Sequence, residues 1–160
     1  MEDLVIVDDF LDDFEHVCDC AYHEEYYSRE ASNKIQGIRE GWTGTRTLDI
    51  KTRYPNITKK IEESFGMVVE KMHFYKIEGE EKKWLWENQE QALKPHKDAF
   101  PLAGVVYLWG NTGTYYDGEL IEFAKNRAIC YNGEHMHMPD LTDKDRCVIV
   151  FFGRKQWRNF

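Results

Sequence analysis

From about residue 67 onward the chain is a series of short runs rich in β-branched and aromatic residues, separated by turn residues. The runs are MVVEKMHFYKI, KKWLWEN, LAGVVYLWG, GTYYDGELIEF, NRAICYN and RCVIVFFG. They follow one another at a spacing of roughly ten residues, and no helical pattern separates them. This pattern predicts a β-sandwich or a barrel rather than a parallel sheet with helical crossovers.

The first 66 residues have a different pattern. LVIVDDFL predicts a first strand, and the apolar spacing of DDFEHVCDCAYHEEYYSRE predicts a helix after it. A second, short helix is expected to start after Pro55, with Asn56 or Thr58 as its cap, and to end at Gly66. GIREGWTGTRTLD, which is rich in Gly and Thr, predicts an irregular connection. Within it, residues 37–48 are candidates for a mobile lid over a substrate or for a structured loop packed by Trp42.

Composition limits the classes of function. A chain of 160 residues and 19.1 kDa fits a single domain over residues 1–160, with residues 1–66 supporting a β-rich core at 67–160. The formal net charge of -8 disfavours nucleic acid as a partner. We expect a cytoplasmic protein, because the sequence shows no secretory leader and no membrane span, and four cysteines without a disulfide spacing fit a reducing compartment.

One polar pair precedes the run LAGVVYLWG. His96 and Asp98 are two residues apart, so in extended backbone both side chains lie on one side of the chain. Alone the pair is weak evidence, but His135 and His137 follow in the same half. Two histidines and one carboxylate form the facial triad that leaves positions open on iron(II). The same ligands also suit zinc, so a hydrolase stays open.

The order of these segments resembles the iron(II)- and 2-oxoglutarate-dependent oxygenases, in particular the small prolyl-hydroxylase-like members. The matching segments are HFYKI, HKD, VVYLWG, GTYYDGELIEF, KNRAICYNGEHMH and RCVIVFF, and LVIVDDFLDDFEHV is similar to the family's opening strand and helix. The resemblance implies a double-stranded β-helix, or jelly-roll, core with N-terminal helices packed on one face. It also implies Fe(II) and 2-oxoglutarate as cofactors, O2 as co-substrate, and ascorbate as a candidate accessory reductant.

The resemblance also assigns residues. It makes His96, Asp98 and His137 the iron ligands, with His135 as the alternative distal ligand if a bulge shifts the register. It makes Arg146 the residue that binds the far carboxylate of 2-oxoglutarate, assisted by the hydroxyl of Tyr107.

Arg146 suits that role physically, because a planar guanidinium binds a carboxylate through two parallel hydrogen bonds. By strand alternation it shares a face with Val148, Val150 and Phe152 and points into an apolar interior. The alternative is a surface strand end, where Arg146 pairs with a nearby aspartate.

The expected reaction is hydroxylation of an unactivated C–H bond, with 2-oxoglutarate decarboxylated to succinate. The substrate is expected to be a prolyl or other peptidyl residue or a small molecule, with no membrane partner and the oligomeric state open. Nucleic-acid demethylation is disfavoured, because Phe152 stands where that branch of the family has a second arginine. Two rivals are a cupin-like metal-dependent isomerase or hydrolase without 2-oxoglutarate, and a non-catalytic jelly-roll binding module.

Overall fold

The computed structural model describes residues 4–28, 31, 44–77, 100–135 and 145–156, and the backbone of 137–139. Within these ranges lie two helices, α1 (Phe14–His23) and α2 (Pro55–Phe65). The strands are β1 (Leu4–Val7), β2 (Tyr27–Ser28), β3 (Thr45–Arg46), β4 (Met67–Ile77), β5 (Leu102–Trp109), β6 (Thr114–Tyr116), β7 (Glu119–Ile121), β8 (Ala128–Asn132), β9 (His137–Pro139) and β10 (Arg146–Lys155).

The strands form two antiparallel sheets. The large sheet has the order β1-β8-β5-β10-β4-β3-β2, and the small sheet has the order β7-β6-β9. This is the jelly-roll that the family resemblance implies. Five of the six predicted runs in the β-rich half contain strands, and the sixth, KKWLWEN, lies outside the described residues.

The two helices cover the outer face of the large sheet, as predicted. They contribute Val17, Ala21, Ile57 and Ile61 to a cluster of buried residues that also takes alternate side chains of β4, β5, β8 and β10. α2 is amphipathic because Ile57 and Ile61 are four residues apart, and their side chains are 5% and 0% exposed.

The bounds of α2 agree with the sequence prediction, but its N-terminal cap does not. Pro55 opens the helix, and Gly66 ends it with φ of 60°, a left-handed conformation that glycine adopts without steric cost. The predicted cap at Asn56 or Thr58 is wrong. The cap position is Tyr54, and its side chain makes no capping bond. The Thr58 hydroxyl instead donates to the carbonyl of Lys51 at 2.7 Å.

The Asn126-Arg127 pair fastens the N-terminal segment to the sheet. The Asn126 amide accepts a hydrogen bond from the Leu11 N–H at 2.8 Å and donates one to the Leu11 carbonyl at 2.9 Å. Arg127 forms an ion pair with Asp8 at 2.7 Å. The guanidinium of Arg127 lowers the pKa of Asp8 below its ordinary value through this hydrogen bond. The NR motif therefore holds the chain between β1 and α1.

The connection GIREGWTGTRTLD is more regular than expected where it is described. Thr45 and Arg46 form β3, which pairs with Lys76 and Tyr75 of β4. The expectation of an irregular connection is wrong for these two residues, and positions 37–43 of the candidate lid lie outside the described residues. In the described part of the chain, neither helix has the length and apolar character needed to cross a bilayer.

Candidate functional site

The inner face of the large sheet carries a second cluster of buried side chains, distinct from the one under the helices. β4, β5, β8 and β10 supply most of it, and Tyr116 and Ile121 of the small sheet close it from the other side. The sequence analysis expects Arg146 to point into this apolar layer between the two sheets.

Arg146 opens β10 on this inner face. It lies directly opposite Ile77 of β4, and Val148, two residues further on, lies opposite Tyr75. Ile77, Tyr75 and Val148 all belong to the inner cluster, so the predicted alternation along β10 is confirmed. The Arg146 side chain is buried, with 4% of the residue exposed, and this excludes the alternative of a surface strand end.

Two of the three guanidinium nitrogens of Arg146 are buried without a hydrogen-bond partner among the described residues. Nε and Nη1 are inaccessible to solvent and meet no hydrogen-bond partner in the part of the chain that the structure describes. Buried donors of a cation that meet no acceptor cost on the order of several kcal/mol, so these two nitrogens favour an anion at this position.

The loop beside Arg146 needs a glycine. Gly110 has φ of +122°, and a Cβ at this position would lie 3.1 Å from the Asp145 carbonyl oxygen and 3.2 Å from the Arg146 Cα. The residue after β5 can therefore pass directly against the start of β10. Thr112 and Thr114, which follow, are each 3% exposed.

Tyr107 lies next to this loop on β5. It pairs with Val148 of β10 and is fully buried. Its hydroxyl lies 2.8 Å from the hydroxyl oxygen of Thr114. The predicted tyrosine and arginine thus share the inner face, and Thr114, for which the sequence carries no signal, holds the tyrosine hydroxyl.

The predicted iron ligands lie largely outside the described residues. His96 and Asp98 precede Phe100, where the description resumes, and His137 is described for its backbone alone. Two backbone contacts locate the neighbouring segments. The Gly133 N–H donates to the Pro101 carbonyl at 2.9 Å, and His137 pairs with Tyr116 of β6. The segment just after Asp98 therefore lies beside the turn that leads to His137, although the three ligands stay a prediction.

His135 belongs to that turn and not to an extended strand. Its N–H donates to the Asn132 carbonyl at 3.0 Å, so His135 lies in a turn before the strand that contains His137. Its Nδ1 lies 2.7 Å from the Tyr116 hydroxyl and 3.0 Å from Oδ2 of Asp117, and its ring stacks on that of Tyr116. His135 is thus held against the turn between β6 and β7. Among the described residues, no group of three His, Cys, Asp or Glu side chains could hold a metal ion.

Comparison with solved structures decides the fold. The epimerase SnoN, solved with Fe3+, alpha-ketoglutarate and nogalamycin RO, aligns over 94% of this chain and 78% of its own, with a TM-score of 0.60 and 15% identity. The viral collagen prolyl hydroxylase of Paramecium bursaria Chlorella virus-1, in its 2-oxoglutarate complex, aligns over 98% of this chain and 97% of its own, with a TM-score of 0.55 and 13% identity. This chain has the fold of the 2-oxoglutarate/Fe(II) oxygenases.

A third structure with this oxygenase fold is a prolyl hydroxylase from Trichoplax adhaerens in complex with a peptide fragment of the hypoxia-inducible factor oxygen degradation domain. It aligns over 94% of this chain and 83% of its own, with a TM-score of 0.54 and 10% identity. No family model and no curated protein matches the sequence.

A second arginine lies on the inner face of this oxygenase fold. The Arg46 guanidinium carbon is 5.2 Å from the ring centroid of Tyr75 and 5.8 Å from that of Phe152. The sequence singles out GWTGTRT only as a lid or a loop, because a strand of two residues is too short to show a period.

Proposed function

We propose that this chain is an Fe(II)- and 2-oxoglutarate-dependent dioxygenase that hydroxylates an unactivated C–H bond. The observation that carries the proposal is the buried guanidinium of Arg146, whose Nε and Nη1 have no partner among the described residues. The far carboxylate of 2-oxoglutarate is planar and anionic, so it would accept two parallel hydrogen bonds from this group. The oxygenase fold and the position of Tyr107 on the same face support the assignment.

The residues proposed to hold iron are His96, Asp98 and His137. The donor set of two imidazoles and one carboxylate suits Fe(II) and leaves coordination positions for other ligands. His137 is proposed as the distal ligand from the order of the motifs, with His135 as the alternative, because a histidine can bind a metal through one ring nitrogen while the other contacts a carboxylate, as Nδ1 of His135 contacts Asp117.

Iron(II) with 2-oxoglutarate and O2 would supply the oxidising chemistry, in which 2-oxoglutarate is decarboxylated to succinate and CO2 and a hydroxyl group replaces a hydrogen on the substrate. The chain's own residues bind and orient. Arg146 and Tyr107 would fix the far end of 2-oxoglutarate. The apolar inner cluster would exclude water from the reacting end, and the Tyr107 hydroxyl is held in place by Thr114.

For the substrate we propose a prolyl or other peptidyl residue, or a small molecule of similar size. Prolyl hydroxylases are among the structural neighbours, and one of them was solved with a peptide. The epimerase among the structural neighbours shows that this fold also supports a reaction other than hydroxylation. We propose the cytoplasm as the compartment, in keeping with four cysteines that are not in disulfide bonds.

The rival functions leave Arg146 without a role. A cupin-like isomerase or hydrolase would use the metal alone, and a binding module would need no guanidinium buried between the sheets. Neither offsets the cost of a buried cation at that position.

The test is an anaerobic titration of the Fe(II)-loaded protein with 2-oxoglutarate, followed through the metal-to-ligand charge-transfer band near the red end of the visible spectrum. We expect the band in the wild type. Arg146→Ala removes two charge-assisted hydrogen bonds. It should weaken the binding of 2-oxoglutarate at least about 100-fold, or about 2.7 kcal/mol.

Arg154→Ala is the matched control, because Arg154 lies on the same strand but is exposed and paired with Glu70. It should leave the affinity for 2-oxoglutarate unchanged. Absence of the band from the iron-loaded wild type, or an unchanged affinity in Arg146→Ala, contradicts the cofactor assignment.

A further inference from the structure

One buried hydrogen bond joins the two sheets on the inner face. It connects the hydroxyl of Tyr107, on β5 of the large sheet, to the hydroxyl of Thr114, on β6, the central strand of the small sheet, over 2.8 Å. Tyr107 is 0% exposed and Thr114 is 3% exposed. Buried hydroxyls are held by their hydrogen bonds. The orientation of the Tyr107 hydroxyl therefore depends on Thr114.

This pair of hydroxyls lies at the same end of the inner face as Arg146. Tyr107 is opposite Val148 of β10, and Arg146 is two residues before Val148. Such diagonal neighbours on adjacent strands are about 7–8 Å apart, which is within reach of long side chains. Gly110, which begins the loop that leads to Thr114, lies directly against Arg146. An anion bound by Arg146 can therefore reach the Tyr107 hydroxyl as well.

The direction of the hydrogen bond decides what Tyr107 presents to such an anion. Each hydroxyl has one proton, and either of them can be the donor. When Tyr107 donates to Thr114, its proton points away from the anion. When Thr114 donates to Tyr107, the Tyr107 proton can point to a carboxylate oxygen and form a charge-assisted hydrogen bond. The ring of Tyr107 packs on that of Phe123, with centroids 5.3 Å apart, so rotation of the hydroxyl proton is the movement that the switch needs.

We propose that Thr114 is a positioning residue that makes the site select 2-oxo acids with a second carboxylate. It donates its hydroxyl proton to the Tyr107 oxygen and thereby directs the Tyr107 proton to the far carboxylate held by Arg146. This inference rests on the proposed function and deepens it. The effect of Thr114 passes through Tyr107, because Thr114 uses its single proton on the tyrosine oxygen.

Two 2-oxo acids that differ only at the far end test this role. 2-Oxopentanoate has the same carbon chain as 2-oxoglutarate, with a methyl group in place of the far carboxylate. Each acid is titrated anaerobically into the Fe(II)-loaded protein, and its dissociation constant is read from the charge-transfer band. The ratio of the two constants measures the preference for the second carboxylate. A general loss of stability or of metal would weaken both acids alike and leave this ratio unchanged.

Thr114→Val keeps the shape of the side chain and removes the donor. It should lower the preference for 2-oxoglutarate about tenfold, which is about 1.4 kcal/mol. Thr114→Ser keeps a hydroxyl and should retain the wild-type preference. Thr47→Val is the matched control, because Thr47 is 1% exposed and its hydroxyl accepts a hydrogen bond from the N–H of Phe74, which belongs to the cluster under the helices. This variant also loses a buried threonine hydroxyl, and it should keep the preference.

A double-mutant cycle tests whether Thr114 acts through Tyr107. Tyr107→Phe alone should lower the preference for 2-oxoglutarate. Addition of Thr114→Val to Tyr107→Phe should lower it no further, because the hydroxyl that Thr114 directs is already gone.

An undiminished preference in Thr114→Val, an equal fall in Thr114→Ser or Thr47→Val, or additive losses in the cycle overturns the proposal. If 2-oxopentanoate binds too weakly to measure, the same cycle on the affinity for 2-oxoglutarate decides. Thr114→Ala replaces Thr114→Val if that variant does not fold. Absence of the band from the iron-loaded wild type refutes the proposed function, whereas a normal band with an undiminished preference in Thr114→Val refutes the role of Thr114 alone.

Discussion

Replacement of Arg146 by methionine should have opposite effects on stability with and without 2-oxoglutarate. The guanidinium is buried, and two of its nitrogens have no partner among the described residues. Each unsatisfied buried donor costs about 1–3 kcal/mol, and replacing buried charges with well-packed apolar residues stabilises proteins by about 1–4 kcal/mol. Methionine has a similar length and no donor. We therefore expect Arg146→Met to stabilise the ligand-free protein by about 2 kcal/mol.

Binding of 2-oxoglutarate should make the wild type more stable than Arg146→Met. For a protein of this size, about 2 kcal/mol corresponds to a rise in melting temperature of roughly 4–8 °C. At 100 times its dissociation constant, 2-oxoglutarate should stabilise the wild type by about 2.7 kcal/mol. It should do little for Arg146→Met, because the group that binds its far carboxylate is gone.

The assay is thermal unfolding followed by circular dichroism, with Mn(II) as a metal that does not react with O2. Wild type, Arg146→Met and the exposed-site control Arg154→Met are each measured with and without 2-oxoglutarate. The control should change stability by less than about 0.5 kcal/mol. A ligand-free Arg146→Met less stable than the wild type, or one that 2-oxoglutarate stabilises as much as the wild type, would refute the reasoning.

Three further predictions concern the scaffold. Asn126→Ala removes both hydrogen bonds to Leu11. The free energy of unfolding measured in urea should therefore fall by about 1–3 kcal/mol. An unchanged urea midpoint would contradict a stabilising role for these two hydrogen bonds. Arg127 lowers the folded-state pKa of Asp8, so this carboxylate stabilises the protein above its unfolded pKa of about 3.9, and the contribution is lost as the pH falls through the folded value. Asp8→Asn should therefore lose less stability than the wild type between pH 5 and pH 2, and identical urea midpoints across that range would count against the ion pair. Burial raises the pKa of Cys130 to about 12, so iodoacetamide at pH 8 should leave it unmodified in the native protein and alkylate it in urea, as read by mass spectrometry of its peptide.

The long strands can be predicted from the sequence, because the alternate burial of their side chains produces a two-residue period of apolar residues. β10 alternates between the helix-covered face and the inner face, so the burial of Arg146 follows from its place two residues before Val148. The hairpin of β6 and β7 follows from Asp117 and Gly118, which both adopt positive φ, of 49° and 82°. In each case a local rule and the tertiary structure agree.

The features that the sequence does not predict depend on contacts made at a distance. β3 is two residues long and exists because β4 pairs with it, so no periodicity reveals it. α2 has no side-chain cap, because Tyr54 occupies the cap position and its side chain makes no capping bond, while Asn56 and Thr58 lie inside the helix.

The candidate site likewise contains some features that the sequence predicts and others that it does not. The roles of His96, Asp98 and His137 come from the order of motifs along the chain, and no described contact tests them. The contacts of His135 with Tyr116 and Asp117 depend on a turn whose shape the pattern EHMH does not reveal. The position of Arg46 beside Tyr75 and Phe152, which come from two other strands, likewise leaves no signal in the sequence.

The most direct measurement is an anaerobic crystal structure with Mn(II) and 2-oxoglutarate, with the metal located by its anomalous scattering. The account predicts one metal ion bound by His96, Asp98 and His137, with the far carboxylate of 2-oxoglutarate on the guanidinium of Arg146. A metal bound by other side chains, or a 2-oxoglutarate whose far carboxylate does not contact Arg146, would contradict it.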